Sequence, residues 1–122
     1  MDETSPAVVG PVFRVTVPVT EKAAYDAVAE YLAHRTQHME LVIHQKPEFG
    51  LWIYYYQSAK YLRTHDISWA LAGNGPILLD VTTGEAFLTG TAEPPAHYIA
   101  AYIRSRASKN GAVLGTDTML GK

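Results

Sequence analysis

Residues 73–91 read GNGPILLDVTTGEAFLTGT, and the fold turns on whether these glycines cradle a phosphate or punctuate a hairpin. A phosphate loop follows G-x-x-x-x-G-K-[ST] and leads from a strand into a helix, so that backbone N–H groups and a lysine meet the anion. Here Gly75 is followed by Pro76, which has no N–H to give, and then by the apolar run Ile77-Leu78-Leu79. The dinucleotide pattern G-x-G-x-x-G fails as well, because Leu78 stands where its third glycine belongs. What remains is turn chemistry. Gly73-Asn74-Gly75-Pro76 supplies left-handed conformations and a stop before a strand over Pro76–Leu79. A type I turn across Val81–Thr83, with Gly84 left-handed, returns the chain along Ala86–Leu88, and the Asp80 carboxylate braces that turn.

Upstream, the other elements fall around this hairpin. TEKAAYDAVAEYLAHRTQ reads as a helix: Thr20 is its N-cap, Glu21 sits at the positive end of the dipole, and Ala24, Val28 and Leu32 form an apolar stripe. Two β-rich runs, Leu41–Gln45 and Leu51–Gln57, are joined through KPEFG, a second hairpin signal. Alternation along the later run puts Trp52, Tyr54 and Tyr56 on one face and Leu51, Ile53 and Tyr55 on the other. With both faces apolar, it reads as a central strand covered on each side. PVFRVTV, bracketed by Pro11 and Pro18, alternates as a strand confined to an edge.

In KYLRTHDISWALAG, Asp66 caps a short helical turn through Trp69 and Leu71, with Gly73 as its stop. Downstream, Pro94 or Pro95 opens a helix whose buried stripe is Tyr98, Ile99, Tyr102 and Ile103, with Arg104 and Arg106 near its negative end. Residues 1–10 read as a flexible leader and 109–122 as a flexible tail, around one domain over 11–108. The expected fold is α+β: a small antiparallel sheet of about four or five strands packed against an N-terminal and a C-terminal helix.

Bulk composition narrows the function. The 122 residues include ten Lys and Arg against twelve Asp and Glu, a net charge of −2 with no basic stripe, which argues against nucleic-acid binding. No apolar run is long enough for a transmembrane helix, so no membrane partner is expected. The acidic start MDETSPAVVG lacks the basic region of a signal peptide, so the expected location is cytoplasmic. There are no cysteines, which removes disulfides and thiolate chemistry.

Among the histidines, His34 and His38 stand i, i+4 and could face a zinc ion, but no Glu follows His34 as in H-E-x-x-H, and surface histidines are the plainer reading. The serines lack a G-x-S-x-G setting. His65 beside Asp66 is the one pair that a small enzyme could use. No catalytic, cofactor or metal set emerges. Aromatic residues are the anomaly: eight tyrosines and two tryptophans, concentrated between Trp52 and Trp69. Such side chains fill cores and also anchor protein interfaces.

The order of motifs in residues 70–102, ALAGNGPILLDVTTGEAFLTGTAEPPAHYIAAY, resembles the YrhB-domain family, also called immunity protein 35. The family pattern is matched by Gly73-Asn74, Pro76, Ile77-Leu78-Leu79 with Asp80, Thr83-Gly84-Glu85, Gly90-Thr91-Ala92, and Tyr98 with Tyr102. The likeness extends more loosely over the helix at Thr20–His34 and the strand at Leu51–Ser58. The resemblance implies a small bacterial protein of a polymorphic toxin system, one that binds and neutralises a cognate toxin without catalysing a reaction. On that reading the candidate anchors are Trp52, Tyr54, Tyr56, Tyr61 and Trp69, with Arg63 and Asp66 at a polar rim. A chaperone-like or scaffold module would use the same aromatic surface on varied clients. An exposed β-edge or aromatic patch would equally make a homodimer.

Overall fold

The computed structural model describes residues 10–71 and 75–114, with backbone alone from residue 107 onward. The Gly73-Asn74 turn lies outside these residues, as do most of the leader and the last eight positions. Five strands form one antiparallel sheet in the order β1-β5-β4-β3-β2: β1 Phe13–Arg14, β2 Leu41–Glu48, β3 Leu51–Ser58, β4 Ile77–Asp80 and β5 Glu85–Leu88. Helices α1 (Glu21–Arg35), α2 (Ala59–Thr64) and α3 (Pro95–Leu114), with a 3-10 turn at Ile67–Trp69, complete the α+β fold.

Local chemistry accounts for most boundaries. The Thr20 hydroxyl accepts from the Ala23 amide at 3.1 Å and starts α1, as an N-cap should. The edge strand anticipated over Pro11–Val17 survives only as Phe13–Arg14, paired with β5. The β2–β3 connection is tighter than its sequence indicates. Lys46-Pro47-Glu48 continues β2, and only Phe49 and Gly50 turn, both with positive φ, 54° and 79°. A two-residue turn of that kind matches the twist of the strands it joins. Pro47 is tolerated because β2 is an edge strand.

The β4–β5 turn forms as its residues require: the Gly84 amide donates to the Asp80 carbonyl at 2.7 Å, and the Thr82 amide to the Asp80 carboxylate at 2.9 Å. Gly84 has φ 78°, and a Cβ there would overlap the Val15 carbonyl oxygen on the adjoining edge segment. Gly84→Ala is therefore expected to lose about 2 kcal/mol or more, from left-handed strain and displacement of the β1 edge. Urea denaturation would show this as a lower midpoint with an unchanged slope.

Pleat alternation divides the core. On one face Tyr54, Ile77, Leu79 and Ala86 pack with Ala24, Val28 and Leu32 of α1. On the other, Leu51, Ile53, Leu78 and Phe87 pack with Ile99 of α3, joined by Tyr55, Tyr102 and Ile103. The sheet thus lies between the two helices. α1 carries the chain from the β1 edge across one face to β2 at the opposite edge. α3 is helical as far as Leu114, past the end of its apolar stripe, because a single interior glycine costs a propagating helix only about 1 kcal/mol.

Candidate partner-binding site

The connection from β3 to β4 builds a lobe rather than a plain loop. Ser58, fully buried at the end of β3, caps α2 by accepting from the Tyr61 amide at 3.1 Å. α2 escapes a search for helical periodicity because its six residues are too few to show a period. His65 ends it in the left-handed conformation, φ 60°. Asp66 then caps the 3-10 turn, its Oδ1 accepting from the Ser68 amide at 3.0 Å and hydroxyl at 2.7 Å. These bonds hold the Asp66 carboxyl below the usual carboxylate range, the Ser68 hydroxyl contributing most.

The base of the lobe is stapled to β3. Gln57 Oε1 accepts from the Leu71 amide at 2.7 Å and the Ser58 amide at 2.8 Å. The Tyr56 hydroxyl donates to the Gly75 carbonyl at 2.9 Å. A short segment held at entry and exit in this way presents its side chains on fixed backbone.

What it presents is apolar with a charged surround. Ile67 is 77% exposed, Leu62 44% and Trp69 38%, three large hydrophobic side chains on one small lobe. The Lys60 ammonium lies 3.9 Å from the centre of the Trp69 ring, a cation–π contact that fixes the indole. Arg63 pairs with Glu40 at 3.6 Å. Met39, Glu40, Lys60, Arg63 and Trp69 line a shallow open depression of about 350 Å³ where the lobe meets the α1–β2 connection.

The residues anticipated from the sequence therefore separate into two groups. Tyr61, Arg63, Asp66 and Trp69 are brought together on the lobe. Tyr54 is fully buried, its hydroxyl donating to Gln45 at 3.1 Å, and burial raises its pKa. Trp52 and Tyr56 pack against the α1-side core. Leu62, Ile67, Lys60 and Glu40 went unremarked in the sequence. Ile67 carried a signal, as an apolar residue in a polar stretch with no periodic partner.

Among the described residues no acid–base constellation gathers around His65. It is exposed and edge-on to Tyr61 at 6.2 Å, while Asp66 turns its carboxylate to Ser68. The rings of His34 and His38 stand 5.4 Å apart, and among the described residues no group of three or more His, Asp or Glu is placed to hold a metal ion.

One buried polar cluster lies on the opposite side of the sheet. Asp80, fully buried, receives the Tyr102 hydroxyl at 2.6 Å and the Arg106 guanidinium at 2.9 Å on one oxygen, and the Thr82 amide on the other. Burial alone would push its carboxyl up, but these donors outweigh it and the pKa falls below the ordinary value. Tyr102 moves upward, through burial first and its hydrogen bond to Asp80 second. Each group is satisfied by another, so the cluster joins α3 to the hairpin turn and leaves nothing free to react.

Fold and surface thus define a small α+β protein whose single most exposed large apolar side chain, Ile67, rides on a stapled lobe beside Leu62 and Trp69. The model of the family Immunity protein 35 matches residues 22–102, and the chain belongs to that family. It is also 28% identical over 90 residues, covering 74% of this chain and 95% of the relative, to the Escherichia coli (strain K12) protein named "Uncharacterized protein YrhB". No solved structure matches. No helix among the described residues is long and apolar enough to cross a membrane.

Proposed function

We propose that this protein binds and neutralises a cognate bacterial toxin in the cytoplasm, by protein–protein contact through the α2–3-10 lobe and without catalysis. The observation that carries the assignment to this surface is the exposure of Ile67, Leu62 and Trp69 on one segment pinned by Gln57 and Ser58. Interfaces are anchored by a few aromatic and aliphatic side chains ringed by polar groups, and rigid presentation lowers the entropy lost on binding. Membership of the immunity protein family supports the class of partner.

The test is co-expression with the effector encoded beside this gene. The expected result is rescue of growth and a one-to-one complex with a dissociation constant on the order of nanomolar. Ile67→Glu is expected to abolish rescue while leaving the thermal midpoint within a few degrees, because Ile67 is exposed and buries little. Failure of the unaltered protein to protect cells would overturn the reading. Suppression of aggregation of unrelated clients, without a cognate complex, would favour a chaperone-like module instead.

A further inference from the structure

The two edges of the sheet are not alike. β1 is only two residues long, whereas β2 is an eight-residue strand with no neighbour beyond it in the sheet among the described residues. Long, flat edges invite pairing with another strand, and proteins usually blunt them with lysine, proline or a bulge. β2 has Lys46 and Pro47, but both lie toward its hairpin end, leaving Leu41–Gln45 without either device.

Register fixes which backbone groups are free. Glu48 and Leu51 close the two-residue turn and form a hydrogen-bonded pair, as in hairpins of that length. Lys46, His44 and Val42 therefore turn their backbone groups toward β3, and the Ala59 amide donating to the Glu40 carbonyl at 3.0 Å continues the parity. The N–H and C=O of Leu41, Ile43 and Gln45 point away from the sheet. Pro47 shares that outward parity, which is where a missing N–H does no harm.

We infer that β2 is the homodimer edge of this protein: two copies pair their β2 strands antiparallel about Ile43, making one continuous sheet across both. Charge selects this register. Pairing about Ile43 sets Leu41 against the second copy's Gln45, Val42 against its His44, and Glu40 against its Lys46. The side chains of Glu40 and Lys46 are 75% and 64% exposed, and their present partners, Arg63 at 3.6 Å and Glu48 at 3.8 Å, are solvent-screened contacts weak enough to exchange for the cross-copy pair. Pairing about His44 would instead oppose Glu40 with the second copy's Glu48 and place Pro47 in the ladder. Pairing about Val42 would oppose Lys46 with His38. Only the Ile43 register joins opposite charges at both ends and keeps proline outside. The edge adjoins the lobe at Glu40, which also pairs with Arg63, but pairing of the strands does not rest on the toxin reading.

The experiment is sedimentation equilibrium of the full chain, unaltered and as Lys46→Glu and Glu40→Lys/Lys46→Glu. A dimer is expected, weakened about tenfold or more by the single reversal, which creates like-charge pairs twice by symmetry, and restored by the double exchange. Hydrogen exchange supplies a second readout. The amides of Leu41, Ile43 and Gln45 should gain protection as concentration rises, while those of Val42, His44 and Lys46 are protected throughout. A monomer up to about 1 mM, a dimer indifferent to Lys46→Glu, or failure of the double exchange to restore it would each overturn the inference.

Discussion

Asp80→Asn is expected to destabilise the protein by about 3 kcal/mol, in the range seen when one partner of a buried ion pair is removed. The carboxylate serves two masters: one oxygen accepts the Thr82 amide of the β4–β5 turn, the other the Tyr102 hydroxyl and the Arg106 guanidinium. An amide has a single acceptor oxygen, so asparagine must abandon either the turn or α3, and its NH2 group then faces a donor. Tyr102→Phe removes one bond to a charged acceptor and should cost less, about 1.5–3 kcal/mol. Urea denaturation at neutral pH checks both; a loss under 1 kcal/mol for Asp80→Asn would contradict the account.

The same site gives a pH dependence of known sign. The Asp80 carboxyl is held below its ordinary value of 3.8 in the folded state, so its contribution is fully present above that value. It is lost as pH falls through the folded pKa, because the unfolded chain then binds the proton more readily. Acid unfolding curves of the unaltered protein should accordingly fall more steeply below about pH 4 than those of Asp80→Asn. Parallel curves would show that Asp80 titrates alike in both states.

Trp69→Ala is expected to weaken the proposed toxin complex about 30-fold or more, equivalent to 2 kcal/mol, while changing folding stability by less than about 1 kcal/mol. Trp69 is held by Lys60 at 3.9 Å yet stays 38% exposed, so its removal leaves no core cavity and forfeits only an exposed cation–π contact, worth about 0.5–1 kcal/mol. Tyr54→Phe provides the opposite control. Tyr54 is buried and bonded to Gln45, so that variant should lose about 1 kcal/mol of stability and no affinity. Calorimetric titration against the toxin, beside thermal denaturation, separates the two; equal affinity for Trp69→Ala and the unaltered protein would remove the lobe from the interface.

Much of the fold was legible because it rests on local rules. Thr20, the Ala24-Val28-Leu32 stripe, the alternation through Trp52–Tyr56 and the Asp80–Gly84 turn each depend on residues within a few positions, and each appears as its chemistry requires. The family motif in residues 76–85 is the same turn chemistry read in order. The site was harder to read. A tyrosine that packs and a tyrosine that binds are the same letter, and Tyr54 and Tyr61 part only once β3 is covered and α2 projects. Helix α2 and the two-residue turn at Phe49-Gly50 were obscured because six residues show no period and a proline on an edge strand looks like a break.

The sequence by itself determined that Gly84 turns the chain between β4 and β5, that β3 is apolar on both faces, and that helices flank the sheet. These follow from missing donors, left-handed backbone and side-chain periodicity, all local properties. Tertiary structure alone decided which helix covers which face and that β2 is the long edge strand among the described residues. It also decided that Asp80 answers to Tyr102 and Arg106, 22 and 26 residues away. Such pairings depend on where distant segments come to lie, and burial, which no single residue type specifies, gives them their energy.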